Sequence, residues 1–127
     1  ETVGRINRSF PHWFNGNFKK YNEREEALPF DQHQLIALMA PRAVYVASAT
    51  GDRWADPVGE FLSVLHAQPV YDLYRKGALG VAEPPAPGET VGMVTGYHLR
   101  EGKHDVTPED WKHYLSFFQR ILRQETK

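Results

Sequence analysis

Two strand-loop-helix segments constrain the fold of this chain more than any other feature of its sequence. In the first, residues 43–49 form an apolar run rich in β-branched side chains, which indicates a buried strand of a parallel sheet. A polar loop follows, and Asp56 with Pro57 marks the start of a helix. In the second, a strand is predicted over 91–100, then a loop over 101–106 and a last helix. Strands that alternate with helices predict an α/β fold with a parallel sheet and right-handed crossovers.

The remaining segments are predicted from periodicity and from helix-breaking residues. Residues 1–29 are aromatic and polar without a clean period, so loops with short helical turns are expected there. A short helix is predicted from Asp31 to Pro41. The helix that begins at residue 57 should end near Ala67, because Pro69 is expected to restart a second helical segment. Residues 81–88 contain three prolines and a glycine, which predicts an exposed connection.

Apolar residues at helical spacing predict the buried faces of two helices. Phe61, Leu62 and Leu65 should line the buried face of the helix that follows the first strand. The last helix carries an apolar stripe formed by Trp111, Tyr114, Leu115, Phe118, Ile121 and Leu122. The aromatic residues of this helix are expected in the core. Two strands do not suffice for such a sheet, because parallel sheets are covered on both faces and usually have more strands. We therefore expect residues 1–127 to be incomplete on their own.

Composition excludes several classes of function. There are 15 basic and 16 acidic residues, so no positive field favours nucleic acid or anionic lipid as a partner. The absence of cysteine excludes disulfides, thiolate metal sites and a cysteine nucleophile. No two histidines have the i, i+4 spacing of a zinc helix, and no metal site is expected. No apolar run has the length of a membrane span, and the first residues lack the pattern of a signal peptide, which indicates a start inside a longer protein.

The two predicted loops carry an acid and a histidine at the carboxyl ends of strands, where open α/β sheets bind ligands. In α/β-hydrolases the catalytic order along the chain is nucleophile, acid, histidine, and Asp52 and His104 occupy the last two places. A serine needs an imidazole to take its proton, and the imidazole needs a carboxylate to hold its tautomer. We therefore expect the two side chains to be within about 2.6 to 3.2 Å of each other. None of the serines has the glycine context of a nucleophile elbow, so the nucleophile is expected upstream: Ser9, Ser48, Ser63 and Ser116.

Each candidate residue also has a purely structural interpretation. Asp52 is also suited to forming a turn after Gly51, and Asp56 to capping the helix that begins after it. Asp105 is also suited to a role in its own loop. Trp54 is either a ligand-stacking residue or a buried structural tryptophan. The other histidines are expected at the surface or in packing: His12, His33, His66, His98 and His113.

Several separated motifs, in the same order along the chain, resemble bacterial glucuronoyl esterases, which form carbohydrate esterase family fifteen. They are residues 10–14, 17–21, 28–33, 40–48, 52–57 and 102–107. The resemblance spans nearly the whole chain and implies the C-terminal portion of a single α/β-hydrolase catalytic domain. It implies a serine esterase that cleaves the ester between 4-O-methyl-glucuronic acid on xylan and a lignin alcohol, without metal or organic cofactor. It also implies that the enzyme is secreted or periplasmic.

The resemblance assigns roles to three positions. His104 matches the catalytic histidine of the family, Asp52 matches the acid of many bacterial members, and Trp54 matches a tryptophan that contacts the sugar. Some members use a glutamate earlier in the chain, so Asp52 is the sole acid, a second acid or a bystander. The partner of this chain would be the N-terminal portion of the same domain, which would supply the serine.

Two other functions are compatible with the sequence. One is a non-catalytic carbohydrate-binding fragment that retains Trp54, which the missing nucleophile favours. The other is an acetyl xylan esterase or another hydrolase of the same fold. The paired acid and histidine loops favour an enzyme, because a binding module has no use for a carboxylate that holds a tautomer.

Overall fold

The computed structural model describes residues 2–77 and 79–125, which divide into two compact units. The first unit ends at Asp31 and the second begins at Gln32. All of the predicted strands and both candidate loops belong to the second unit.

The first unit consists of short helical segments, as the sequence predicts. They are α1 (Val3–Ser9), α2 (Gly16–Lys19) and a 3₁₀ turn (Glu25–Ala27). Thr2 and Asn15 begin the two α-helices, because each side chain accepts hydrogen bonds from backbone N–H groups of the first turn.

The second unit combines helices with a three-stranded sheet. Its elements are α3 (Gln32–Ala37), β1 (Val44–Ala49), α4 (Pro57–Leu73), β2 (Thr90–Gly92), β3 (Thr95–Arg100) and α5 (Pro108–Glu125). The strand order is β1-β3-β2. The predicted parallel pairing of the two main strands is confirmed, with Val44 opposite Thr95 and Ala49 opposite Arg100. Both strands therefore end at the same level of the sheet.

The single strand predicted over 91–100 is wrong in one respect, because the chain reverses within it. β2 pairs with β3 antiparallel, so the sheet is mixed rather than wholly parallel. The reversal depends on Gly92, which has a φ of +96° and whose missing side chain would collide with the carbonyl of Thr95. A glycine here permits a tight turn that the apolar pattern does not reveal.

The predicted break at Pro69 is also wrong, because α4 runs through it without interruption. Proline inside a helix removes one hydrogen bond and costs about 3 kcal/mol. Packing on both sides offsets this cost, since Ala67 and Tyr71 are fully buried and the Tyr71 hydroxyl donates to the carbonyl of Arg42 at 2.9 Å. Tertiary contacts therefore continue the helix past its proline.

The core lies between α4 and the sheet. Phe61 and Tyr97 meet edge to face with ring centroids 5.3 Å apart, and Val64 and Leu79 complete the buried cluster. The prediction for Leu62 is wrong, because its side chain is 39% exposed. The buried face of α4 passes through residues 61, 64, 67 and 71, and position 62 lies about 100° around the helix from residue 61.

The prediction that the aromatic residues of the apolar stripe on α5 lie in the core is also wrong for Trp111 and Phe118, which are 57% and 59% exposed. Phe117 is a buried aromatic residue of this helix and packs on Tyr45 with ring centroids 4.7 Å apart. The exposed members form what we call the α5 apolar face: Trp111, Leu115, Phe118 and Leu122. Periodicity reports that a helix has an apolar face, but it does not report whether a partner covers it. Among the described residues of the second unit, the side chains of Trp111, Leu115 and Phe118 on this face are more than half exposed.

Candidate active site

The parallel pairing of β1 and β3 continues beyond the strands and joins the two candidate loops. The backbone N–H of Thr50 donates to the carbonyl of Arg100 at 2.9 Å, and that of Gly51 donates to the carbonyl of Gly102 at 2.7 Å. A side chain at Gly51 would lie 2.6 Å from the carbonyl oxygen of Gly102, so this close approach requires glycine. The acid loop and the histidine loop are therefore held side by side.

Asp52 and His104 make the contact that the sequence predicts. Nδ1 of His104 lies 2.6 Å from Oδ2 of Asp52, while Oδ1 accepts from the backbone N–H of Ala55 at 3.4 Å. An ionised carboxylate only accepts, so the proton of this hydrogen bond belongs to Nδ1. The neutral imidazole therefore keeps a lone pair on Nε2, as a general base requires.

The electrostatics of the pair favour a basic imidazole. The hydrogen bond to Asp52 and its negative charge raise the pKa of His104, with smaller contributions from Asp105 and Glu60. The histidine side chain is 88% exposed, whereas the aspartate side chain is 15% exposed. A mostly buried carboxylate thus orients an imidazole that is exposed and accessible to a reactant.

Trp54 lies in the turn that follows Asp52, and its side chain is 38% exposed. It is therefore not a fully buried structural tryptophan. Asp56 caps α4 by accepting from the N–H of Gly59 at 3.1 Å. Asp105 accepts from the N–H of its neighbour Val106 at 2.7 Å. Asp56 and Asp105 therefore accept hydrogen bonds from the backbone, in line with their structural interpretation.

A second carboxyl group near the pair was not predicted. Glu60 accepts a hydrogen bond from the hydroxyl of Ser48 at 2.6 Å, which links α4 to the end of β1. Burial raises the pKa of Glu60, the bond from Ser48 opposes this rise, and the negative charges of Asp52 and Asp56 add to it. The sequence has no local signal for this contact, because it joins residues of two different elements.

A buried polar cluster next to the histidine loop was also not predicted. His98 is fully buried on β3, its Nε2 lies 2.8 Å from Oδ1 of Asp110, and its Nδ1 lies 2.9 Å from the hydroxyl of Tyr45. Burial lowers the pKa of His98, while the bond to Asp110 opposes this. Arg100 donates from Nε to the same carboxylate at 2.9 Å. An arginine at the end of a buried strand, with an acid in the first turn of the next helix, is a weak sequence signal for such a cluster, because it does not identify which groups pair.

The other histidines occupy surface or packing positions, as expected. His12 and His66 are exposed, and His33 and His113 are partly buried. In the part of the chain that the structure describes, no group of three or more histidine, aspartate or glutamate side chains is arranged to hold a metal ion. Among the same residues, no helix combines the length and the apolar character needed to cross a membrane.

Comparison with known proteins places these features in a family. The family model described as glucuronyl esterase of fungi matches residues 2–74. A carbohydrate esterase from an unknown prokaryotic organism is 55% identical over 117 residues, which cover 92% of this chain and 27% of that protein.

Solved structures show the same relationship. A glucuronoyl esterase from Solibacter usitatus superposes with a TM-score of 0.88 at 52% identity, over 93% of this chain and 30% of that one. A structure described as a promiscuous CE15 esterase from a marine bacterial metagenome gives a TM-score of 0.91 at 53% identity, over 94% of this chain and 30% of that one. This chain thus spans less than a third of these relatives, and its architecture is that of part of their α/β-hydrolase fold. The chain belongs to the glucuronyl esterase family.

Proposed function

We propose that this chain is the acid- and histidine-bearing part of a serine-type carboxylic ester hydrolase that acts on glucuronoyl esters. The substrate would be the ester between 4-O-methyl-glucuronic acid of xylan and an alcohol of lignin. The observation that carries the proposal is the 2.6 Å contact between His104 and Asp52 at the level ends of two parallel strands. The names of the similar proteins support the substrate class.

The proposed reaction uses His104 twice. The Nε2 lone pair accepts the proton of a serine hydroxyl as that oxygen attacks the ester carbonyl, and the imidazolium then returns the proton to the leaving alcohol. In the second half of the reaction, His104 accepts a proton from a water molecule that attacks the acyl-serine. It then returns this proton to the serine oxygen, which releases the uronic acid. Asp52 accepts from Nδ1–H throughout, so it fixes the tautomer and stabilises the cation.

Two further roles complete the proposal. Trp54, which follows Asp52 in the same loop and is partly exposed, would contact the sugar of the substrate. The nucleophilic serine would come from the N-terminal portion of the same catalytic domain, together with any glutamate that shares the task of Asp52. We also propose that the enzyme works outside the cytoplasm, since its polymeric substrate is found there.

The test compares His104→Ala with the wild type in the full-length protein that carries this chain. Turnover of a benzyl glucuronate ester should fall about 10³-fold or more, because no other group here can move the proton. The matched control is His12→Ala, an exposed histidine of the first unit, which should keep the wild-type rate. A wild-type rate in His104→Ala would refute the catalytic proposal and favour a carbohydrate-binding fragment.

A second substrate separates the esterase alternatives. The similarity to a structure described as promiscuous is a reason to assay acetylated xylan alongside the glucuronoyl ester. A higher kcat/KM on the glucuronoyl ester supports the proposed substrate class. A higher kcat/KM on acetylated xylan would instead identify an acetyl xylan esterase.

A further inference from the structure

The backbone on both sides of His104 is held by a buried guanidinium group. Arg100, the last residue of β3, donates from Nη2 to the carbonyls of Lys103 and Asp105 at 2.8 and 2.6 Å. Its Nη1 donates to the carbonyl of Glu101 at 3.0 Å. The two Nη2 bonds end at the residues immediately before and after His104. One side chain therefore anchors the loop from within.

The guanidinium group is itself fixed by Asp110. Nε of Arg100 donates to Oδ1 and Oδ2 at 3.1 and 2.9 Å, and both side chains are buried. Oδ2 of Asp110 also accepts hydrogen bonds from the N–H and the hydroxyl of Thr107 at 2.6 and 2.8 Å. Thr107 is the residue immediately before α5. Although burial opposes ionisation, the hydrogen bonds from Thr107 and His98 and the charge of Arg100 hold the pKa of Asp110 well below its usual range. The carboxylate thus stays charged and keeps the guanidinium group in one orientation.

The histidine loop has few other means of fixing its shape. Residues 101–106 are all exposed, and the loop has no regular secondary structure. Packing therefore contributes little to the position of the His104 ring, and backbone anchors must supply it. Apart from the contact between Asp52 and His104, the neighbouring loop contributes bonds at the Glu101 and Gly102 end of the histidine loop, through Thr50 and Gly51. At 103 and 105, the anchors are those from Arg100.

We propose that Arg100, oriented by Asp110, is the positioning residue that sets the histidine loop so that His104 meets Asp52. The inference rests on the proposed function, in which that pair performs the proton transfers. Arginine suits the task because its planar fork holds a carboxylate at one edge and carbonyl oxygens at the other. Lysine has three donors on one flexible point charge and cannot replace this geometry.

Loss of the anchor has two measurable consequences. A looser loop spends less time with His104 against Asp52, so kcat should fall while binding through Trp54 on the other loop persists. The pKa of His104 should also fall toward its ordinary value, because the bond to Asp52 is the main cause of its rise. Asp105 on the same loop and Glu60 on α4 also raise it, and neither is changed by the substitution.

The experiment measures kinetics and His104 titration in Arg100→Lys of the full-length protein. We expect kcat to fall about 10- to 100-fold with KM little changed, because small misplacement of a catalytic group costs this much. The acidic limb of kcat/KM and the NMR titration of His104 should both move to lower pH. Tyr45→Phe is the control, since it removes the hydroxyl bonded to His98 at the far end of the same cluster and should leave kcat and both titrations unchanged.

A second variant tests the anchor without replacing the buried side chain of Arg100. Gly102 is exposed, has a φ of +116°, and would place a side chain 2.9 Å from Nη1 of Arg100. Gly102→Ala should therefore disturb the anchor from the solvent side and give the same fall in kcat and in the pKa of His104. Folded Arg100→Lys and Gly102→Ala proteins with wild-type kcat and an unmoved titration would overturn the positioning role.

The two proposals fail differently. An inactive His104→Ala together with an unimpaired Arg100→Lys would overturn only the positioning role. A fully active His104→Ala would overturn the proposed function. The NMR titration reports the contact between His104 and Asp52 without reference to turnover, and it decides the positioning role in either case.

Discussion

The charge state of His104 depends mainly on its neighbour Asp52. The proposed mechanism needs the neutral imidazole, so activity should fall as the pH drops through the pKa of His104, which Asp52 raises. Asp52→Asn removes that negative charge, so the acidic limb of kcat/KM should move to lower pH. Its kcat should fall less than in His104→Ala, and very little if an upstream glutamate shares the task. A pH-rate profile of both variants measures this, and an unmoved acidic limb would contradict the assignment of Asp52.

Trp54 is expected to act in binding rather than in proton transfer. Trp54→Ala should raise KM for glucuronoyl esters more than it lowers kcat, because it removes an exposed ring and no proton-transfer group. Trp13→Ala removes another exposed tryptophan, in the first unit, and serves as the control. If Trp54→Ala instead fails to fold, the residue belongs to the structural framework.

The contact between Asp52 and His104 could be predicted because it follows from strand order and from the ends of strands, which the sequence records locally. The anchor formed by Arg100 and Asp110 could not, because it depends on how a strand end meets the first turn of the next helix. His98 was assigned to surface or packing in general terms, and its hydrogen bonds on both ring nitrogens follow only from the fold. Buried polar groups need partners, but a sequence does not name them.

At the scale of elements, α4 offers a sharp comparison between two adjacent side chains. Phe61 is fully buried against Tyr97, whereas Leu62 is 39% exposed, although the sequence pattern assigned both to the buried face. Phe61→Ala should lower the free energy of unfolding by about 3 to 5 kcal/mol, because it leaves a cavity. Leu62→Ala should lower it by about 1 kcal/mol or less. Urea unfolding of both variants checks this, and equal losses would contradict the observed orientation of the helix.

The elements that were predicted wrongly share a physical cause. Pro69 was expected to interrupt α4, and the turn at Gly92 was not expected at all. In both places the outcome is decided by contacts between residues distant along the chain, which outweigh local preference. The positions and the pairing of β1 and β3 were predicted because apolar runs bounded by turn residues are a local signal.

At the scale of the whole molecule, the chain carries an acid and a histidine but no serine in an elbow motif. The 127-residue chain by itself should therefore show no turnover of glucuronoyl esters above its His104→Ala variant. The α5 apolar face should also bind a dye such as anilinonaphthalene sulfonate, because large exposed apolar patches bind such ligands. Turnover by the isolated chain would contradict the need for an external nucleophile.

Because β1 and β3 end at the same level of the sheet, the position of the candidate site depends little on the length of the chain that connects the two strands. Asp52 and His104 are placed by the register of two neighbouring strands, and α4 and residues 81–88 lie between them in sequence. A change of length in the exposed stretch at 81–83 therefore leaves the pair in place. One residue inserted within β3 would shift the histidine loop by about 3.3 Å and turn its side chains to the opposite face. Length changes are thus expected to be tolerated at 81–83, whereas the spacing within each strand is fixed by the pairing.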